Sequence, residues 1–318
     1  MIIRRRFGLG AMMTIFVLLA IPTGLIAQQQ KKTEGKNARM PLQRPVPPGF
    51  KLVKNQDYGG KGNPRQMLDL YLPVDKADKR PLIVWIHGGG WKNGSKERMP
   101  MDWLLQKGYA IASINYRLSD EAKFPAQSHD CKGAVRWLRA NAGKFGYDAS
   151  KIGIAGSSAG GHLVALLGVS GDVKEIEGDV GGNPKYSSRV QAVIDFFGPT
   201  DFLTMVDQPS RIDRSGPDCP EALLIGGTVK ENPDKARAAS PSTYVTKDDP
   251  PILIYQGDKD PLVPWKQSTT FHAQLQKAGV VSELVMIKDG GHGGREFMAA
   301  DEARVKQLAF LDKHIKGK

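Results

Sequence analysis

The sequence predicts an α/β protein built on a mostly parallel sheet, and three observations predict it. Apolar, β-branched runs alternate along the chain with helical patterns. Several runs, such as Leu82-Ile83-Val84-Trp85-Ile86 and Ile252-Leu253-Ile254-Tyr255, are apolar at every position, as suits strands covered on both faces. Glycine makes up 36 of 318 residues, above the usual level of roughly 7%, which points to many tight turns between those elements. At 318 residues and 40% apolar the chain can bury a large core. That excludes a wholly disordered protein. Only two cysteines, Cys131 and Cys219, exclude a disulfide scaffold or a Cys-rich metal cluster.

In chain order, the first segment reads as an address. Arg4-Arg5-Arg6 precedes an uncharged stretch from Phe7 to Ala27. A basic start, an apolar run and a small residue at a cleavage position make an export signal over residues 1–27, with Pro22 and Gly24 favouring cleavage. An uncleaved membrane anchor is the alternative. The expected destination is therefore exported, periplasmic or secreted. Residues 28–48 are polar, basic and then rich in proline (Pro41, Pro45, Pro47, Pro48), and read as a flexible linker. The folded domain is expected over 49–318. Its candidate strands are Arg65–Leu72, Pro81–His87, Tyr109–Tyr116, Lys151–Ala155, Val190–Phe197, Pro251–Gln256 and Ser282–Lys288. Helical patterns lie between them at about 96–107, 129–143, 159–170, 265–278 and 296–314. Two stretches rich in Gly, Pro, Asp and Ser, 171–188 and 200–247, break the rhythm and are expected to form a partial cap. No internal repeat is present.

The net charge of +12 is unevenly placed. The first forty residues carry seven basic groups against Glu34 alone, half of the total. No run of Lys and Arg with interleaved aromatics follows, which argues against a nucleic-acid partner.

Four motifs carry chemistry. Gly156-Ser157-Ser158-Ala159-Gly160 fits G-x-S-x-G between a short strand and a small-residue helix, the setting of a nucleophile elbow. The following helix start points free N–H groups at developing negative charge. His87-Gly88-Gly89-Gly90-Trp91 follows another strand. Its glycines let backbone N–H groups of Gly89 and Gly90, together with Ala159, face an oxyanion. A phosphate cradle is the competing use of such a loop, but no G-K-[ST] follows. His87 itself reads as structural. Of six histidines, His292 sits in Gly290-Gly291-His292-Gly293-Gly294 after a strand and is the expected base. His129, His162, His272 and His314 read as packed or solvated. Gln256-Gly257-Asp258-Lys259-Asp260-Pro261 supplies the orienting acid. Asp260, held extended by its proline, is preferred, and Asp258 is the alternative. Trp91, Tyr116 and Asp201, at or past strand ends, are substrate-binding candidates, with packing or loop anchoring as the competing role. The order Ser158, Asp260, His292 is the Ser…Asp…His order of one class of hydrolases.

From about residue 50 to 316, HGGGW, GSSAGG, GDKDPLVP and GGHGG resemble a secreted bacterial α/β-hydrolase of the esterase/lipase group. The nearest types are the bifunctional feruloyl and acetyl xylan esterases and the hormone-sensitive-lipase-like carboxylesterases. The resemblance implies an eight-stranded sheet with helices on both faces, a Ser–His–Asp triad and ester substrates of acetyl, feruloyl or short-chain acyl type, small or carbohydrate-linked. One departure is visible: residues 28–57 are too short and proline-rich for the helical N-terminal cap of the hormone-sensitive-lipase group. The expected activity needs no metal and no organic cofactor. It should fall as pH drops through the imidazole pKa and persist in chelator. A serine peptidase of the same fold and a catalytically silent binding protein are the rival readings. Cys131 and Cys219 are a possible disulfide after export.

Overall fold

The computed structural model describes residues 45–75 and 79–318. The expected export signal at 1–27, and all of the linker before residue 45, lie outside the described residues. Eight strands form one sheet: β1 Phe50–Asp57, β2 Met67–Pro73, β3 Arg80–Ile86, β4 Ala110–Ile114, β5 Tyr147–Ser157, β6 Ala192–Phe196, β7 Ile252–Gly257 and β8 Ser282–Ile287. Their order is β1-β2-β4-β3-β5-β6-β7-β8. β2 runs antiparallel to both its neighbours, and every other adjacent pair is parallel. The helices are α1 Ala126–Phe145, α2 Ala159–Val169, α3 Lys174–Glu177, α4 Phe202–Met205, α5 Pro220–Ile225, α6 Pro233–Ala239, α7 Lys266–Ala278, α8 Arg295–Met298 and α9 Asp301–Leu311.

The uniformly apolar strands are explained by two cores, one on each face. Along β3, Leu82, Val84 and Ile86 point into the core shared with α1, α2 and α7. Ile83 and Trp85 point into the other core, which packs against the 3-10 turn Asp102–Lys107 and α9. This is the period of two expected of a strand with no solvent face. Each fully buried Leu, Ile or Val contributes about 1.5–3 kcal/mol of transfer free energy, so the central strands anchor everything mounted on their ends.

Three features depart from the sequence-based expectation. β1 was not anticipated: it is an edge strand with Lys51 and Lys54 and a register shift between Val53 and Gln56. Charge and irregularity protect an edge from further pairing, and they also erase the apolar alternation. The helix expected over 96–107 is confined to 102–107, because Pro100 lacks the N–H a helix interior needs. The helix expected over 296–314 is interrupted at Ala299–Ala300, where Arg295 O accepts both amides at 2.7 Å. Phe297, just before the break, is completely buried.

The two insertions go to different places. Residues 171–188 dock on α1: Glu177 pairs with Lys132 (3.0 Å) and Arg136, Glu175 O meets His129 Nε2 at 2.9 Å, and Val180 backs Gly133. Residues 200–247 hold α4, α5 and α6 and reach the loops at the C-terminal ends of β3 and β7, where an α/β sheet positions its ligands.

Candidate active site

Every element of the site hangs from the C-terminal end of a parallel strand. β5 ends at Ser157 and α2 begins at Ala159, so Ser158 alone makes the turn. It does so at φ 55°, ψ −120°, a conformation that costs a non-glycine residue on the order of 1–3 kcal/mol. Its amide donates to Phe196 O at 2.8 Å and its carbonyl accepts from His162 N at 2.9 Å, which holds the strained turn. The flanking glycines are needed because there is no room: a Cβ on Gly160 would run into the carbonyls of Ile86 and His87, and one on Gly156 into the Gly160 carbonyl. The serine hydroxyl is thereby lifted clear of both strand and helix.

His292 stands across from it. Its Nε2 lies 2.8 Å from Ser158 Oγ and its Nδ1 lies 2.7 Å from Asp260 Oδ2. The Asp260 side chain is completely buried, and that of His292 is 16% exposed. Asp260 Oδ1 accepts the amides of Leu262 (2.8 Å) and Val263 (3.0 Å), while Oδ2 also accepts Gln256 Nε2 at 3.2 Å. Four donors thus surround one carboxylate. Asp258 instead stays in the turn, with its amide bonded to Ile287 O at 3.1 Å and no hydrogen bond to the imidazole. The loops after β7 and β8 are laced together by Lys259 N to Gly290 O at 2.9 Å. Phe197, also at positive φ, packs its ring 4.7 Å from that of His292.

The glycine loop after β3 closes the arrangement. A Cβ on Gly88 would sit 3.2 Å from Ser158 Cβ, so this loop lies directly against the elbow. Gly89, at φ 116°, turns the chain so tightly that its carbonyl accepts the amides of both Lys92 and Asn93 at 3.1 Å. Among the described residues the amides of Gly89, Gly90 and Ala159 donate to no other protein group, which leaves them available to a developing oxyanion.

His87 is a support for that loop. Its Nδ1–H donates to Gly88 O at 2.8 Å, its ring stacks on Tyr116 at 4.4 Å, and burial lowers its pKa to about 4, which keeps it neutral. Of the two roles open to Trp91, Tyr116 and Asp201, substrate contact or packing and loop anchoring, the contacts of all three are of the second kind. Tyr116 is fully buried and its hydroxyl donates to His87 O at 3.0 Å. Trp91 is 2% exposed, donates from Nε1 to His162 Nδ1 at 3.2 Å and meets Phe202 edge-on. Asp201 caps α4 by accepting the amides of Leu203 and Thr204. Their position at strand ends is real, but each side chain is engaged in holding a loop. His162 and His272 also hold structure: His162 Nε2 donates to Ala239 O at 2.7 Å, and His272 bonds Ser282 Oγ at 2.7 Å. Cys131 and Cys219 are both free thiols and buried, so the possible disulfide is not formed. Among the described residues no three His, Cys, Asp or Glu side chains come together as a metal site.

Two contributors escaped the sequence reading. Gln256 donates from Nε2 to Asp260 and accepts Ser268 Oγ at 2.8 Å through Oε1. A polar residue ending an otherwise apolar strand, two places before the acid turn, was its one visible cue. Phe197 carries no cue, because nothing local distinguishes it from the core residues of β6.

Comparison with known proteins gives the family and the fold. The BD-FAE family profile matches residues 68–275. Esterase LipC of Mycobacterium tuberculosis is 32% identical over 260 residues, covering 78% of this chain and 60% of that protein. The chain thus spans about three fifths of the length of this relative. Among solved structures, a truncated carbohydrate esterase from gut microbiota aligns with a TM-score of 0.78 at 35% identity, covering 84% of this chain and 96% of that one. A butyrate-bound thermophilic esterase, Est2 of Thermogutta terrifontis, aligns at 0.63 and 27% identity, over 85% of this chain and 94% of that one.

Proposed function

The chain belongs to the BD-FAE family and has the α/β-hydrolase fold, and from that premise we propose that it is a serine carboxylic-ester hydrolase. One observation carries the reading: the unbroken line Ser158 Oγ, His292 Nε2, His292 Nδ1, Asp260 Oδ2, with links of 2.8 and 2.7 Å, beside three unspent amides. A hydroxyl is a weak nucleophile until a base within hydrogen-bond reach takes its proton. His292 Nε2 is that base. As Ser158 Oγ bonds to the ester carbonyl carbon, its proton passes to Nε2, and Nδ1–H stays donated to Asp260. Asp260 fixes the tautomer and stabilises the imidazolium without itself taking the proton. The carbonyl oxygen becomes an oxyanion and turns to the amides of Gly89, Gly90 and Ala159. Collapse breaks the ester C–O bond, and the alcohol leaves with the proton from Nε2. Water, deprotonated by the same nitrogen, then frees the acid and restores the serine.

The acyl group is proposed to be small or carbohydrate-linked: acetyl, feruloyl or a short aliphatic chain. A carbohydrate esterase and a butyrate-bound esterase among the structural relatives support this. Export through residues 1–27 belongs to the same proposal. The test is ester release by the purified protein from nitrophenyl acetate, butyrate and longer esters, methyl ferulate and acetylated xylan, beside Ser158→Ala. Serine-dependent release from methyl ferulate or acetylated xylan supports a polysaccharide-trimming enzyme. Release from none of the panel refutes the proposal.

A further inference from the structure

Between the acid loop and the glycine loop lies a buried ion pair that the chemistry above does not use. Arg214 is 5% exposed and Glu221 3%. Arg214 Nε lies 3.2 Å from Glu221 Oε1, and its Nη2 donates to Leu262 O at 2.6 Å. Leu262 is the residue whose amide donates to Asp260 Oδ1. Its peptide neighbourhood is gripped twice more, by Ser210 Oγ at 3.0 Å from Leu262 O and by Arg211 N donating to Pro261 O at 2.7 Å. On the other side, Glu221 belongs to α5. The preceding Pro220 ring stands beside the glycine loop, 3.5 Å from where a Gly90 Cβ would sit. α5 is itself tied down by Phe124 N donating to Leu224 O at 2.9 Å.

We propose that Arg214 is a positioning residue for the esterase reaction: anchored by Glu221, it holds the Leu262 peptide so that Asp260, and through it His292, keeps its working orientation against the Gly89–Gly90 loop. The proposal rests on the serine-esterase reading above. The physical argument is that a buried guanidinium has no solvated alternative. It must stay beside the carboxylate that balances its charge and keep its hydrogen bond to the Leu262 carbonyl, so it has fewer alternatives than a surface tether. A buried pair of this kind is a poor source of net stability, since desolvation offsets the attraction. What it supplies is a fixed distance between two loops that come from different strands.

The test separates positioning from folding. The double variant Arg214→Met/Glu221→Met replaces the pair by apolar side chains and leaves no lone buried charge, so it should fold. Rates are measured with nitrophenyl acetate and divided by the fraction of Ser158 that an organophosphonate titrates, so misfolded protein does not count. The expected result is a fall in kcat per titrated site of roughly 10- to 100-fold, the scale of a small misplacement of catalytic groups, with KM little changed. Arg214→Lys, which reaches fewer acceptors, should lie between. An unchanged kcat per titrated site in the double variant overturns the proposal. Should that variant fail to fold, an unchanged value in Arg214→Lys overturns it instead. A wild type that neither hydrolyses the ester nor takes the phosphonate overturns the esterase reading, and this proposal with it. An active wild type with an equally active variant overturns this proposal alone.

Discussion

Replacing Asp260 by Asn separates charge and tautomer control from packing, because the two side chains have nearly the same shape. The outcome follows from the four donors around the carboxylate. Oδ1 faces two backbone amides, at 2.8 and 3.0 Å, that cannot rotate away. Oδ2 faces His292 Nδ1 at 2.7 Å and Gln256 Nε2 at 3.2 Å. An Asn amide nitrogen placed on the Oδ1 side would leave those two buried amides facing another donor, a cost of about 2–6 kcal/mol at roughly 1–3 each. On the Oδ2 side it forfeits only that from Gln256, since the imidazole adapts by shifting its proton. The nitrogen therefore faces His292 and donates to Nδ1, which drives the ring proton to Nε2. A protonated Nε2 is unable to accept the Ser158 proton. The loss expected for this wrong tautomer is about 10⁴-fold in kcat, which corresponds to about 5 kcal/mol of transition-state stabilisation. Asp258→Asn, without a bond to the imidazole, should leave kcat within a factor of about 3 of wild type. The assay is initial-rate hydrolysis of a nitrophenyl ester at saturating substrate, with circular dichroism to confirm folding. An Asp260→Asn enzyme within tenfold of wild type, or an Asp258→Asn enzyme as impaired as Asp260→Asn is expected to be, refutes the assignment of the acid.

Three further outcomes are expected. Gly160→Ala must push its methyl against the Ile86 and His87 carbonyls, and should lose about 2–3 kcal/mol of stability in urea unfolding together with most of its activity. His162→Gln keeps a donor for Ala239 O and an acceptor for Trp91 Nε1 but does not titrate. Burial lowers the folded pKa of His162 from 6.5 to about 4, so between those values the unfolded chain binds the extra proton and wild-type stability falls as pH drops. Wild type should therefore lose up to roughly 3 kcal/mol relative to the variant on going from pH 7 to pH 4, and parallel stability curves would contradict this. Gln256→Leu removes one donor to Asp260 and should lower kcat by about tenfold with KM nearly unchanged.

Much of this molecule was readable from the sequence because the informative patterns are local. Strands such as Leu82–Ile86 declare themselves by apolar runs, and the elbow declares itself by glycines where no side chain fits. The chain order Ser158, Asp260, His292 is legible because each residue follows a strand. The structure brings the three together although 134 residues separate Ser158 from His292. What sequence does not display is how polar atoms are spent. Trp91 and Tyr116 stand at strand ends like pocket residues, yet each donates inward to hold a loop. Gln256 and Arg214 act on Asp260 directly or through Leu262, and such contacts exist only after folding. β1 was missed because its edge position relaxes the apolar pattern that identifies buried strands. Residues 171–188 resembled 200–247 in composition, yet only the second segment reaches the site.

The account turns on whether Ser158 is an activated nucleophile, and covalent capture measures that directly. Wild type and Ser158→Ala are each incubated with an organophosphonate ester and analysed by intact mass and peptide mapping. The account predicts one adduct per wild-type chain on the peptide carrying Ser158, loss of ester hydrolysis in step with labelling, and no adduct on Ser158→Ala. Labelling of Ser158→Ala to the same extent, or an unlabelled wild type that still hydrolyses esters, would contradict it.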